Sequence, residues 1–236
     1  MVSAQLVAER RRELEQLDRQ VQAAVAGLFT RVPFDDPPEA AGLLRQMLPD
    51  VTVPLGEVAS TGAAAFYDEA RRQAAAGGSY RARTAATVSA TRIDIMARWS
   101  AAPLFFDDPQ PAQSLARATG GTQRLVREAD RETIVQASHD DPDSYGWQRI
   151  SGPNACKFCL MLADRGGVYK RSTVDFASHD NCGCVGAPTW DPNAREVPAR
   201  AYEASRRTSA MSATQRRDHR ARTRGYLNRA YPDAPG

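Results

Sequence analysis

No apolar run in these 236 residues reaches the roughly 18 needed to cross a bilayer. The opening stretch, Met1 to Arg10, turns charged too early for a signal h-region. These absences exclude a spanning protein and set the expectation of a soluble chain in a reducing cytosol, where thiols favour metal over disulfides. There is also no Walker loop, no Gly-x-Gly-x-x-Gly and no Gly-x-Ser-x-Gly, which removes the common nucleotide, dinucleotide and serine-hydrolase signatures. His-x-Glu is missing, and with it the zinc nucleobase deaminases. Lysine is nearly absent, with only Lys157 and Lys170 among 31 basic residues. Histidine occurs three times and cysteine four times.

The few cysteines are concentrated. All four lie in Cys156-Lys-Phe-Cys159 and, after a gap, His179-Asp-Asn-Cys182-Gly-Cys184. A Cys-x-x-Cys knuckle brings two thiolates to one ion, and a second cluster from a later turn closes a tetrahedron, the geometry of structural zinc. On extended backbone Cys182 and Cys184 point to the same side, and Gly183 between them is expected to let the chain bend. His179 can replace either, so Cys156, Cys159, His179, Cys182 and Cys184 are five candidates for four positions. Ligands in excess leave no open coordination position, which points to a structural Zn2+ and away from a catalytic one. Reduced buried cysteines without metal, or a disulfide pair, are the alternatives. A zinc-containing ββα nuclease of the HNH type is the competing enzyme reading, carried by His179-Asp180-Asn181. The Cys182-x-Cys184 spacing and the lack of a following histidine before His219 stand against it. His139 reads as a helix-end residue, His219 as solvated, and Glu13-x-Glu15 as part of a helix face.

The rest of the chain reads as mainly helical. Val7, Leu14, Val21 and Leu28 recur every seven residues in a helix from about Ser3 to Phe29, with Leu17 and Ala24 in a second row that Arg10 interrupts. Such a helix packs on its own domain or pairs with another subunit. Asp36-Pro37 opens a second helix, expected to stop before Pro49. Another spans about 56–76 and ends at Gly77-Gly78. Tyr80–Trp99 mixes strand and helix signals and leans to helix. Pro103–Pro111 is a loop with Leu104-Phe105-Phe106 expected in the core. A long helix covers Thr122–Ser138, and Asp140-Asp141-Pro142-Asp143 breaks it. Beyond lie a short strand at Trp147–Ile150, a helical turn at Leu160–Ala163, and a Gly-rich segment too small to bury a core unaided. A structural ion answers that deficit. The net charge of +3 conceals a tail from Arg195 onward with ten arginines against Glu196, Glu203, Asp218 and Asp233.

The fold class is therefore α+β: a helical body over 1–139, a Cys/His metal-binding α+β region over 147–190, and a basic extension over 191–236.

The stretch from Trp147 to Trp190 resembles the Mu F-like minor head, or head-morphogenesis, proteins of tailed bacteriophages, in the form found in actinobacterial phages. The shared features are Trp147-x-Arg149, Cys156-Lys-Phe-Cys159-Leu-Met-Leu-Ala-Asp-Arg-Gly166, Val168-Tyr169, and His179-Asp-Asn-Cys182-Gly-Cys184 leading to Pro188. Weaker similarity covers Trp99–Phe105 and Arg131-Glu-Thr133. Family members commonly carry proline and arginine where this chain has Asp180 and Gly183. The resemblance implies a structural, non-enzymatic component of the virion, inside the head and made in the host cytoplasm. Its implied partners are the portal and major capsid proteins, with a role in DNA packaging or ejection and no membrane or small-molecule substrate. Packaged DNA would be met through Arg206, Arg207, Arg216, Arg217, Arg220, Arg222 and Arg224. A solvated helix face or an irregular end explains the same arginines.

Overall fold

The computed structural model describes residues 2–85, 87–153, 155–164, 169, 182–194 and 210–235. Four helices make the body: α1 (Ala4–Phe29), α2 (Pro37–Gln73), α3 (Ala90–Ala101) and α4 (Pro111–Asp140). Strands β1 (Gly146–Ile150) and β2 (Val185–Thr189) flank a short helix α5 (Lys157–Ala163), and α6 (Ala213–Ala230) lies toward the C-terminus. The protein is α+β.

Ser3 caps α1 by accepting from the Leu6 N–H. The heptad residues Val7, Leu14, Leu17, Val21 and Leu28 are all buried, and α1 packs on both α2 and α4. The seam is thus taken up within the chain. Arg10, the interruption in its second row, is buried as well. Its Nε and Nη2 donate to Asp130 Oδ1 on α4 at 2.9 and 2.6 Å, and Nη2 also donates to the Ala59 carbonyl.

Asp36 caps α2 through the Glu39 N–H. The expected stop before Pro49 does not occur, because α2 runs through both Pro49 and Pro54. Each interior proline removes a backbone bond and costs about 3 kcal/mol. Leu44, Met47 and Leu48 before Pro54, and Ala59 and Ala63 after it, are buried, and each large apolar side chain so placed contributes about 1.5–3 kcal/mol. Packing along the whole helix outweighs two local defects. The helix ends at a turn where Ala75 has φ 50° and Gly78 φ 71°, a conformation glycine adopts without strain.

The ambiguous stretch divides. Residues 79–85 carry no regular element, and α3 begins only after Ser89. Side chains satisfy this backbone instead, with Ala82 N–H donating to Asp68 and Ala85 N–H to the Thr133 hydroxyl. Of Leu104-Phe105-Phe106 only Leu104 is in the core; Phe105 and Phe106 are 56% and 50% exposed. A single 3₁₀ turn (Ala102–Phe105) points one side chain inward, not three. Helix α4 starts eleven residues earlier than Thr122, through Gly120-Gly121. A Cβ on Gly121 would lie 2.6 Å from Met96 Cγ, so the glycine that weakens the helical signal lets α3 approach α4.

The strands pair antiparallel, from Gly146↔Thr189 to Ile150↔Val185, and both lie against α4. Val185 joins the core of the helical body. Trp147, Tyr169 and Ala187 share a second apolar cluster with Val7, Phe66, Tyr67 and Ile134. The small region draws on helical side chains for the core it lacks. Among the described residues, no helix is long and apolar enough to cross a membrane.

Candidate metal centre

Cys159 sits on the inner face of α5, whose N-cap is Cys156. Cys182 and Cys184 lead directly into β2. Both sulfurs reach the same place, and Gly183 between them is exposed. Gly183 takes no positive φ, and a Cβ there would meet nothing within 4 Å. The expected need for glycine at this bend is therefore not what the backbone shows: the two cysteines come together with no left-handed φ at Gly183.

The three sulfurs of Cys159, Cys182 and Cys184 all lie within 4.8 Å of one another. Cys159 Sγ and Cys182 Sγ are 3.6 Å apart, and all four cysteines are free thiols. A disulfide needs about 2.05 Å. A tetrahedron with Zn–S bonds of about 2.3 Å has edges of about 3.8 Å. The observed spacing fits the edge of a coordination tetrahedron, so these side chains suit a thiophilic cation. Cys156 is half-buried and packs beside the triad's apolar cluster. His179 lies outside the described residues, as do Arg206 and Arg207 of the tail.

The surroundings are dry. Trp147 and Tyr169 stack with ring centroids 4.4 Å apart, and their backbones exchange two hydrogen bonds of 3.1 and 2.7 Å. Cys159, Cys182 and Cys184 are 2%, 2% and 1% exposed. Hydrogen bonds from Cys159 and then Cys184, with the charge of Arg131, outweigh burial and push the Cys182 thiol well below its ordinary value. Cys159 moves well above, through its bonds to Cys182 and Cys184 and through burial. Cys184 also rises: its bond with Cys159 pulls it down, but Cys182 and burial pull harder the other way.

Two arginines close the site. Arg131 Nη2 donates to the carbonyls of Cys182 and Cys184 at 2.7 and 3.2 Å. Arg149 Nη1 lies 4.0 Å from Cys182 Sγ. Neither is marked as a ligand partner by its local pattern; Arg131 is one of several arginines on α4, and only the fold directs it inward. Asp141 gave no signal beyond that of a helix breaker. It is fully buried and accepts from Tyr67 Oη, Arg71 Nε and Trp190 Nε1 at 3.1, 3.0 and 3.0 Å.

Helix α6 is built differently. Ser212 and Gln215 form a capping box, and none of its residues is buried. Arg216, Arg217, Arg220 and Arg224 line one shallow depression along it. Lys157 of α5 holds the helix through Asn228, and the Lys157 N–H donates to the Pro235 carbonyl. His139 stands in the last turn of α4, and His219 falls on α6.

A protein-family model described as VG15 protein matches residues 1–222 of this chain. No curated protein matches it, and no solved structure does.

Proposed function

The chain belongs to the VG15 protein family, a family of phage proteins, and from that premise we propose that it is a structural minor component of the phage head. In this reading it is a head-morphogenesis protein of the Mu F-like type, held near the portal inside the head and made in the host cytoplasm. The observation that carries the reading is the enclosure of three converging thiols under two arginines and a Trp–Tyr stack. A metal held there by side chains 2% exposed or less fastens α5 and the β1–β2 pair to α4, as architecture. The metal is zinc, and its fourth ligand comes from Cys156 or His179. In this reading the arginines of α6, a helix with no buried residue, meet the phosphates of packaged DNA.

The test is made in virions. Phage carrying a tagged copy are purified as DNA-filled heads, detergent-washed and probed for the tag, and the tagged protein is captured together with the portal. The reading requires the protein in the heads, recovery of portal with it, and loss of both for Cys159→Ser. A protein absent from washed heads overturns it. Divalent-metal-dependent nicking of a plasmid that His179→Ala abolishes would establish the nuclease in its place.

A further inference from the structure

Helix α3 and the 3₁₀ turn that continues it are apolar on two faces. The inner face, with Ile93, Met96, Ala97, Ala101 and Leu104, is buried in the core of the helical body. The outer face is bare: Ile95, Trp99, Phe105 and Phe106 are 61%, 42%, 56% and 50% exposed. Ile95, Trp99, Ala102 and Phe106 follow one another at intervals of four, three and four residues, which places them in one row along a helical path. Arg117 of α4 lies over the Trp99 ring, 5.0 Å from its centroid, and donates to the Trp99 carbonyl at 3.2 Å. The indole is thereby held as a fixed knob on the surface.

An aromatic side chain buries about 150–250 Å² when fully covered. The three rings, each about half exposed, therefore leave about 300 Å² in water, and Ile95 brings the row to about 400 Å². That is close to the apolar share, a little over half, of the ~800 Å² that each partner buries in a standard-size interface. The two ends of the row differ in charge. Beside Ile95, Asp94 sits between Arg45 and Arg98, an excess of one positive charge, while Arg92 one turn earlier is taken up by Glu128 and Glu132 of α4. Beyond Phe106 come Asp107 and Asp108, both exposed. Turned end for end, the row complements itself: Ile95 meets Phe106, Trp99 meets the small Ala102, and the acidic end meets the two arginines.

We propose that this outer face of α3 is a docking surface for a second copy of the chain, and that two copies pair through it antiparallel, as an isologous dimer. Size and charge both match only when the second row runs in the opposite direction, which is the relation a two-fold axis imposes. Helix α1, whose heptad spacing raises the same possibility, buries its seam within the chain; α3 is the helix left with an uncovered row. The dimer face shares no residue with the cysteine triad and does not depend on a metal.

The test is sedimentation equilibrium of the full-length, reduced chain over a concentration series, as wild type, Ile95→Glu, Phe106→Arg and the double variant Ile95→Glu/Phe106→Arg. The expected wild type is a monomer–dimer equilibrium. Each single variant raises the dimer dissociation constant about 30-fold or more, the effect of losing a central interface residue, with its melting temperature as a monomer unchanged because both positions are exposed. The double variant regains the dimer, since antiparallel pairing sets the introduced acid opposite the introduced base. Three results overturn the proposal. A wild type that stays monomeric at every concentration assigns the row to a different protein. A dimer that both single variants leave intact is formed by another face. A dimer lost in the single variants and not regained in the double variant has a different register. Should Ile95→Glu fail to fold, Trp99→Ser and Ala102→Trp, each of which spoils the central layer, give the same decision: a dimer that survives both overturns the proposal.

Discussion

Trp190 Nε1 donates to Asp141 Oδ2 at 3.0 Å, and that bond ties the residue following β2 to the residue that ends α4. The Trp190 ring also packs edge-on against Tyr67 of α2 at 5.4 Å. Through Asp141 the β1–β2 pair is fastened to two helices at once.

Asp141→Asn tests this junction. The carboxylate is fully buried and its partner Arg71 nearly so, and breaking a buried pair by neutralising one member costs about 3 kcal/mol or more. Denaturant unfolding should show that loss. Burial alone would raise the Asp141 pKa, but bonds from Arg71, Trp190, the Asp143 N–H and Tyr67 hold it below the usual carboxylate value. The stabilisation is therefore complete above the unfolded value of about 3.9 and lost as pH falls through it toward the folded value. Below about pH 4 the wild type and Asp141→Asn should converge in stability. A constant gap between them at every pH would contradict the assignment.

Gly62→Ala should destabilise although it lies inside a helix. Alanine normally gains up to about 1 kcal/mol over glycine there. Here a Cβ would strike the Arg10 guanidinium, which is fixed by Asp130 and the Ala59 carbonyl. The predicted loss is about 1–3 kcal/mol, read as a lower denaturation midpoint. A gain would mean that Arg10 moves aside freely.

Much of this architecture was legible in the sequence, and the exceptions have causes. The Asp36-Pro37 start, the Val7–Leu28 seam and the short strand at Trp147 depend on local signals, and they are where the residues put them. Pro49 and Gly121 misled because each is a local cost that long-range packing offsets. Phe105 and Phe106 look like core by composition, but the geometry of one 3₁₀ turn exposes them. At the site, spacing marked Cys156, Cys159, His179, Cys182 and Cys184 as candidates, and the fold is what brings the sulfurs of Cys159, Cys182 and Cys184 together. Arg131 and Asp141 were not readable in their roles, because burying a charge is decided by what the tertiary fold brings opposite it.

Gly183→Arg should leave the protein intact. The position is exposed, its φ is not positive, and a Cβ meets nothing. Stability should change by less than about 0.5 kcal/mol, as for surface substitutions generally, with zinc affinity unaltered. Loss of metal would show that Gly183 is required for the bend between the two cysteines.

The arginines of α6 predict a salt-dependent contact with duplex DNA. Replacing Arg216, Arg220 and Arg224 by Gln should weaken binding uniformly across sequences. It should also flatten the plot of log affinity against log salt by about one unit for each contact removed. Unchanged slopes would return these residues to the role of a solvated helix face.

The most direct measurement is native mass spectrometry of the reduced, full-length protein, paired with elemental analysis for metal. The expected result is one zinc per folded chain, retained through buffer exchange and lost in Cys159→Ser, Cys182→Ser and Cys184→Ser. A folded wild-type chain that carries no metal, and whose melting temperature is the same with and without chelator, would contradict the account at its centre.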